Sequence, residues 1–107
     1  MNYVVRWSAD AEHDLEAIVD YIAKHDSPER AHYVIDKILD AAGSLTTLPD
    51  KGSYPKELEA FGNREFCQPF IKPFRQIHRV AGKHVTVMLV ADGRRDMLAL
   101  LTKRLLG

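Results

Sequence analysis

Between Ala11 and Ile22 the apolar residues Ala11, Leu15, Ile18, Val19 and Ile22 return every three or four positions, while Asp14, Glu16 and Asp20 lie off that stripe. This is the period of a helix with one buried face. Ser8 stands in front as an N-cap, and Asp10 and Glu12 occupy the first turn, where the positive helix end favours carboxylates. The spacing predicts a helix over residues 9–25. A second stripe follows: Ala31, Val34, Ile35, Ile38, Leu39, Ala42 and Leu45, entered through Asp26-Ser27-Pro28-Glu29 with Ser27 or Asp26 as the cap and proline at the first helical position. Gly43 lies inside this helix, and Leu48-Pro49 ends it, because a residue preceding proline leaves the helical region. The connection is too short for anything but an antiparallel helix hairpin.

The remaining segments alternate with period two. Asn2 to Trp7 reads as a first strand, Arg64 to Gln68 as a second, Phe74 to Val80 as a third and Lys83 to Ala91 as a fourth, with Ala81-Gly82 as the tight turn between the last two. Residues 49–63 carry Pro49, Gly52, Pro55 and Gly62 and form a loop, with a helical turn at Glu57–Phe61. Val85 to Val90 is nearly all apolar, as a central strand would be. After Gly93, Met97 to Leu101 with Leu105 and Leu106 suggests a short C-terminal helix. The expected fold is α+β, a single domain over 1–107. It has an N-terminal strand, an antiparallel helix hairpin packed on one face of a mainly antiparallel four-stranded sheet, and a short C-terminal helix. The other face of the sheet is expected to stay partly open.

Charge changes the picture. Residues 1–50 hold 4 Lys and Arg against 10 Asp and Glu, and residues 51–107 hold 11 against 5, so a net charge of zero joins a segment of −6 to one of +6. An acidic helix pair with a basic sheet points to recognition of an anionic surface more than to small-molecule catalysis. No apolar run reaches the roughly 18 residues of a membrane span, and the chain opens on no signal peptide. A single cysteine, Cys67, excludes an internal disulfide and fits a reducing cytoplasm. His13, His25 and His32 lack ligand spacing, so neither a metal nor a cofactor is expected.

Four motifs, in this order, resemble those of the RelE/ParE superfamily of bacterial toxins, and more closely its ParE or plasmid-stabilisation branch. They are Trp7-Ser8-x-x-Ala11 leading into Asp14-Leu15-x-x-Ile18-x-x-Tyr21-Ile22; Pro28-x-x-Ala31; Leu48-Pro49-x-x-Gly52; and Arg64 ahead of Pro73-Phe74-Arg75-x-Ile77-His78-Arg79-Val80. A branch-like Val90-x-x-Gly93-Arg94-Arg95-Asp96 closes the chain. Two positions depart from the branch pattern: His78 stands where tyrosine is frequent, and Asp92 where histidine is frequent. The resemblance implies a cytoplasmic toxin of a type II toxin–antitoxin system that is neutralised by a cognate antitoxin. It further implies that the toxin–antitoxin complex binds operator DNA through the antitoxin.

The resemblance leaves the target open. The ParE branch inhibits DNA gyrase by binding it. The RelE branch cleaves ribosome-bound mRNA, for which a base, an acid and phosphate-binding cations are needed. Arg75 and Arg95 match phosphate-stabilising arginines of that branch, whereas its lysines fall on Phe66 and Gln68 and its tyrosine near Leu100 or Leu101. His78 is the remaining base for an endonuclease. Strand alternation, however, puts it with Phe74, Gln76 and Val80, opposite Arg75 and Arg79. Gyrase inhibition is therefore the leading expectation, with the endonuclease and an inactive, non-toxic interaction module as alternatives. Arg64, Arg75, Arg79, Arg94 and Arg95 are the candidate contacts to target or antitoxin. Against this, Arg75 and Arg79 read equally as a solvated sheet face, Arg64 as a partner of Glu57, Glu59 or Glu65, and Arg94-Arg95 as the complement of the acidic first helix. Asp92 reads as a turn residue and Cys67 as a small buried apolar group.

Overall fold

A computed structural model describes residues 2–50 and 52–106. Strand β1 (Val4–Trp7) leads into helix α1 (Ala9–His25) and helix α2 (Pro28–Gly43). Ser8 Oγ accepts the Ala11 amide at 3.1 Å, and Ser27 Oγ accepts that of Arg30 at 3.0 Å, so both hairpin helices begin on the caps the sequence offered. A 3-10 turn over Ser44–Thr46 finishes α2. After a loop and a second 3-10 segment at Lys56–Phe61 come β2 (Phe66–Cys67), β3 (Phe70–Ile71), β4 (Phe74–Ala81) and β5 (His84–Asp92), then helix α3 (Met97–Leu101), which runs on as a wider π turn over Thr102–Leu106.

The sheet runs β1-β5-β4-β2, with β3 on the same edge of β4 as β2. It is mixed: β1 pairs with β5 in parallel, and every other pair is antiparallel. The edge strand breaks at Gln68-Pro69. There Gln68 leaves β4 and exchanges both backbone hydrogen bonds with Ser53, at 2.8 and 3.0 Å, and proline has no N–H to continue the ladder.

Both faces of the sheet are covered, which corrects the expectation of one open face. The helix hairpin lies on the first, where Ala11, Val34, Ile38 and Ala42 meet Val87 and Val90. The C-terminal helix and the Lys56–Phe61 segment lie on the second, where Met97, Leu101 and Leu58 meet Ile77, Leu89 and Ala91. The continuous apolar run of β5 follows, because a strand covered on both sides needs apolar residues at every position. A bulge lets the run serve both cores: Ile77 pairs with Leu89 but His78 with Val87, so Met88 is the extra residue and the inward parity of β5 changes there. Of the C-terminal leucines, Leu101 is wholly buried and Leu100 and Leu105 pack partly buried against the core, while Leu98 and Leu106, like Leu39 of α2, are exposed.

Candidate functional site

Arg75, the second residue of β4, pairs with Ala91 on the face covered by α3, and its neighbours determine what that face offers. Its Nη1 donates to Glu57 Oε2 at 2.6 Å and its Nη2 to Glu57 Oε1 at 2.9 Å. Its Nε and Nη2 donate to Gln68 Oε1 at 2.8 and 2.6 Å. Glu57 comes from the 3-10 segment and Gln68 from the broken edge strand, so two irregular elements close on one guanidinium. Only 17% of the Arg75 side chain and 12% of that of Glu57 remain exposed. The hydrogen bonds from Arg75 hold the Glu57 carboxyl below its usual range. Gly93 forms the adjoining ledge: its amide donates to Pro73 O at 2.8 Å, and a β-carbon there would stand 3.0 Å from that oxygen and 3.2 Å from Arg75 Cγ. A groove of about 580 Å³ lies above, with Tyr54, Lys56 and Arg94 among its walls.

The other four arginines divide into two groups. Arg79 is exposed on the same strand, and its side chain has no ionic or hydrogen-bonding partner among the described residues. The Arg64 guanidinium lies 5.7 Å from the centre of the Tyr54 ring, and it shares with Arg79 a hollow that also carries Asp50 and Glu65. At the opposite end of β4, Arg94 pairs with Asp92 at 2.6 Å and stays 82% exposed. With Arg95 it borders a hollow against Ile18 and Tyr21 of α1. Asp92 is the expected turn residue, since Oδ1 accepts the Arg94 amide at 2.9 Å, and the Arg94 guanidinium lowers its pKa. The expected single cationic face therefore does not form. Arg75 is sequestered by Glu57, and the four exposed candidate arginines form two separated pairs. Nor do Arg94 and Arg95 neutralise the first helix; Arg104 does so, through Asp14 at 3.0 Å and Asp10 at 3.8 Å.

His78 is wholly buried under the helix hairpin. Its Nε2 lies 2.6 Å from Pro49 O, which fixes Nε2–H as donor and leaves Nδ1 unprotonated and without a partner among the described residues. Burial lowers its pKa, and the Pro49 carbonyl acts in the opposite direction. Gln76, two residues earlier on the same face, is also wholly buried, with both amide atoms unpartnered among the described residues. His78 thus faces away from Arg75, as the strand alternation implied, and no substrate reaches it. Cys67 is half-buried, and burial raises its thiol pKa.

A family model for the ParE toxin of the type II toxin–antitoxin system, parDE, matches residues 5–97. The chain belongs to the ParE toxin family. No curated protein sequence matches it. Among solved structures, it is similar to the chromosomal ParDE toxin–antitoxin system from P. aeruginosa, with a TM-score of 0.69 and 22% identity over 84% of this chain and 95% of that one. It is also similar to the toxin–antitoxin complex RelBE2 from Mycobacterium tuberculosis, with a TM-score of 0.56 and 19% identity over 86% and 99% of the two chains. At these identities the likeness carries the fold. Within this ParE fold the strand arginine is visible in the sequence, but the groups that cage it were missed. Glu57 and Gln68 stand 18 and 7 residues from Arg75 in irregular segments, where no periodicity marks a contact.

Proposed function

We propose that this ParE toxin inhibits DNA gyrase by binding it, with no chemistry of its own. In this reading a cognate antitoxin neutralises it in the cytoplasm, and the pair contacts operator DNA through the antitoxin. The observation that carries the reading is the Arg75–Glu57 cage. Phosphodiester cleavage needs an uncompensated cation at the phosphate and a base beside it. Here the central cation is neutralised by a carboxylate at 2.6 Å. Around the groove stand Tyr54, Lys56 and Arg94. Glu57 is the one carboxylate there, and Arg75 makes it a weaker base still. The other four candidate arginines, Arg64, Arg79, Arg94 and Arg95, are exposed and suit contacts to a large acidic or nucleoprotein surface.

The test is a supercoiling reaction with purified gyrase, run beside a translation extract in which mRNA ends are mapped. Loss of supercoiling with intact mRNA is the expected result. Cleaved mRNA with unaffected supercoiling would reject the proposal in favour of an endonuclease. Expression with and without the neighbouring gene separates both from an inert module, because unimpaired growth in its absence would exclude a toxin.

A further inference from the structure

Cover over the second sheet face stops short of the β4–β5 turn, and there the strand register sets out two transverse rows. Arg6 of β1 pairs with Thr86 of β5, and Thr86 with Arg79 of β4; one step nearer the turn, Val4, His84 and Ala81 follow in the same order. Paired residues point to one side of a sheet. Phe66, the β2 partner of Arg79, lies in the core beneath α3, so both rows face that side. Val5 and Trp7 alternate with Val4 and Arg6 and pack under the helix hairpin instead. Beyond the end of the α3 core the rows are open: Thr86 is half-buried and the other five residues are exposed. Among the described residues, the Arg6 and Arg79 guanidiniums and the Thr86 hydroxyl have no ionic, hydrogen-bonding or ring partner. None of the six is acidic, and Asp50 and Glu65, which share a hollow with Arg79, lie outside ion-pair distance of it.

We propose that this open end of the sheet binds duplex DNA through its phosphates, with Arg6 and Arg79 as the charged contacts and the Thr86 hydroxyl between them. Guanidiniums only donate hydrogen bonds, so the occupant must present acceptors and negative charge. Arginine and threonine together are a set that holds DNA phosphates. Adjacent strands lie about 4.8 Å apart, which places the two arginines about 10 Å apart. A duplex carries one charge per roughly 1.7 Å of its axis, so about six phosphates fall within that span. The row therefore meets phosphate whatever the bases are, and its binding is independent of sequence. Single-stranded nucleic acid is held by bases stacked on aromatic rings, and these rows contain no Phe, Tyr or Trp. An acidic protein fits less well, because protein interfaces draw their energy from a desolvated, well-packed centre. The centre here is polar, with only Val4 and Ala81 apolar at its margin. The proposal does not rest on gyrase as the target, since the toxin alone should bind DNA.

The test titrates the whole chain into a fluorescent duplex of about 20 base pairs, two helical turns, and follows anisotropy as salt rises. Two unrelated base sequences should bind alike, and log affinity against log salt should fall with a slope of about −0.9 for each phosphate contacted. R6A and R79A should each flatten that slope by about 0.9, and together they should weaken binding about fivefold or more. T86V keeps the side-chain shape without the hydroxyl, so it should weaken binding and leave the slope unchanged. R30A/K37A, which removes equal charge from α2, should not alter the slope, and R6K/R79K should retain it. Far-UV spectra and melting temperatures of the variants should match those of the parent chain. The proposal is overturned if the duplex fails to bind at about 50 mM salt, where phosphate contacts are strong, or if R6A and R79A leave the slope unchanged. It is equally overturned if R30A/K37A flattens the slope as much, or if polyglutamate or oligothymidylate of equal charge competes better than unlabelled duplex.

Discussion

Arg104 and Asp14, 90 residues apart in sequence, meet across the edge of the sheet in a two-pronged contact, Nη1 to Oδ1 at 3.1 Å and Nη2 to Oδ2 at 3.0 Å. The contact completes the backbone where β1 ends. Trp7 is the last residue of β1, so the Val90 amide beyond it has no strand to pair with, and Asp14 Oδ2 accepts it at 3.1 Å. The carbonyl of Met88, the bulge residue, accepts Arg104 Nη2 at 3.1 Å. One carboxylate and one guanidinium thus tie helix α1, the exposed length of β5 and the C-terminal π turn together.

Asp14→Ala should destabilise the protein by about 3 kcal/mol, because it strands a half-buried guanidinium and an unpaired amide together. Arg104→Ala should cost less, since Asp14 keeps the Val90 amide and can be reached by water. Denaturant unfolding of both single variants and the double variant gives the coupling energy. A coupling indistinguishable from zero would show that the pair holds nothing together.

The Glu57 carboxyl predicts an acid limb. Its folded pKa is depressed below the ordinary value of 4.5, so the stability it adds is present above pH 4.5 and is lost as pH falls through the folded pKa. Glu57→Gln should flatten that limb and lower stability near neutrality. Urea midpoints measured from pH 6 downward (to about pH 3, below the ordinary carboxyl range) would check it. An unchanged acid slope in Glu57→Gln would mean that the carboxyl carries no such linkage.

His78 predicts a second limb at higher pH. The folded ring is held neutral by burial, its pKa below 6.5, while the unfolded chain takes up a proton near that value. The unfolded state therefore binds more protons, and stability should fall as pH drops below 6.5, before Glu57 begins to titrate. The imidazole proton resonances of His78 should stay in their neutral position through that range in the folded protein. A His78 signal titrating with the exposed histidines would contradict the buried placement.

The helices were legible in the sequence because their information is local. The Ser8 and Ser27 caps, Pro28 and the 3.6-residue stripes fixed α1 to residues 9–25 and set the start of α2. The strand faces were legible for the same reason, and His78 falls opposite Arg75 and Arg79 as alternation requires. What was hidden is non-local. The parallel pairing of β1 with β5 joins the two ends of the chain, and α3 covers a face that the apolar run of β5 hinted at without naming its partner. Asp14 was legible only as a residue off the apolar stripe, because its acceptor role depends on where β1 stops. Arg75 read as a surface cation because Glu57 lies in a segment with no period to follow.

Two glycines separate strain from collision. Gly52 has φ +101°, and a β-carbon there would lie 1.9 Å from Gln68 O, which is held in the bridge to Ser53. Gly82, the first residue of the two-residue turn between β4 and β5, has φ +61° with open space around it. Gly52→Ala should cost about 3 kcal/mol or more and loosen the Gln68 arm of the Arg75 cage. Gly82→Ala should cost about 1 kcal/mol, from the left-handed backbone alone. Equal melting temperatures for the two variants would remove the collision as a cause.

Arg75 and Arg79 stand on one face of one strand, yet they should answer differently to the same substitution. Arg75→Ala leaves Glu57 mostly buried without its partner, a loss of about 3 kcal/mol, and should lower the melting temperature even at neutral pH. Arg79→Ala removes an exposed, unpaired side chain, and its effect on stability should stay within about 0.5 kcal/mol. If the toxin acts through its exposed cations, Arg79→Ala and Arg64→Ala should weaken inhibition of supercoiling at full stability. Arg75→Lys, which keeps the charge but cannot form the two-pronged bond, should lose stability first. Melting curves and supercoiling titrations on the same four preparations distinguish the cases. A stable Arg75→Ala protein that has lost all inhibition would move Arg75 from the scaffold to the binding surface, and the cage with Glu57 would then have to open when the target binds.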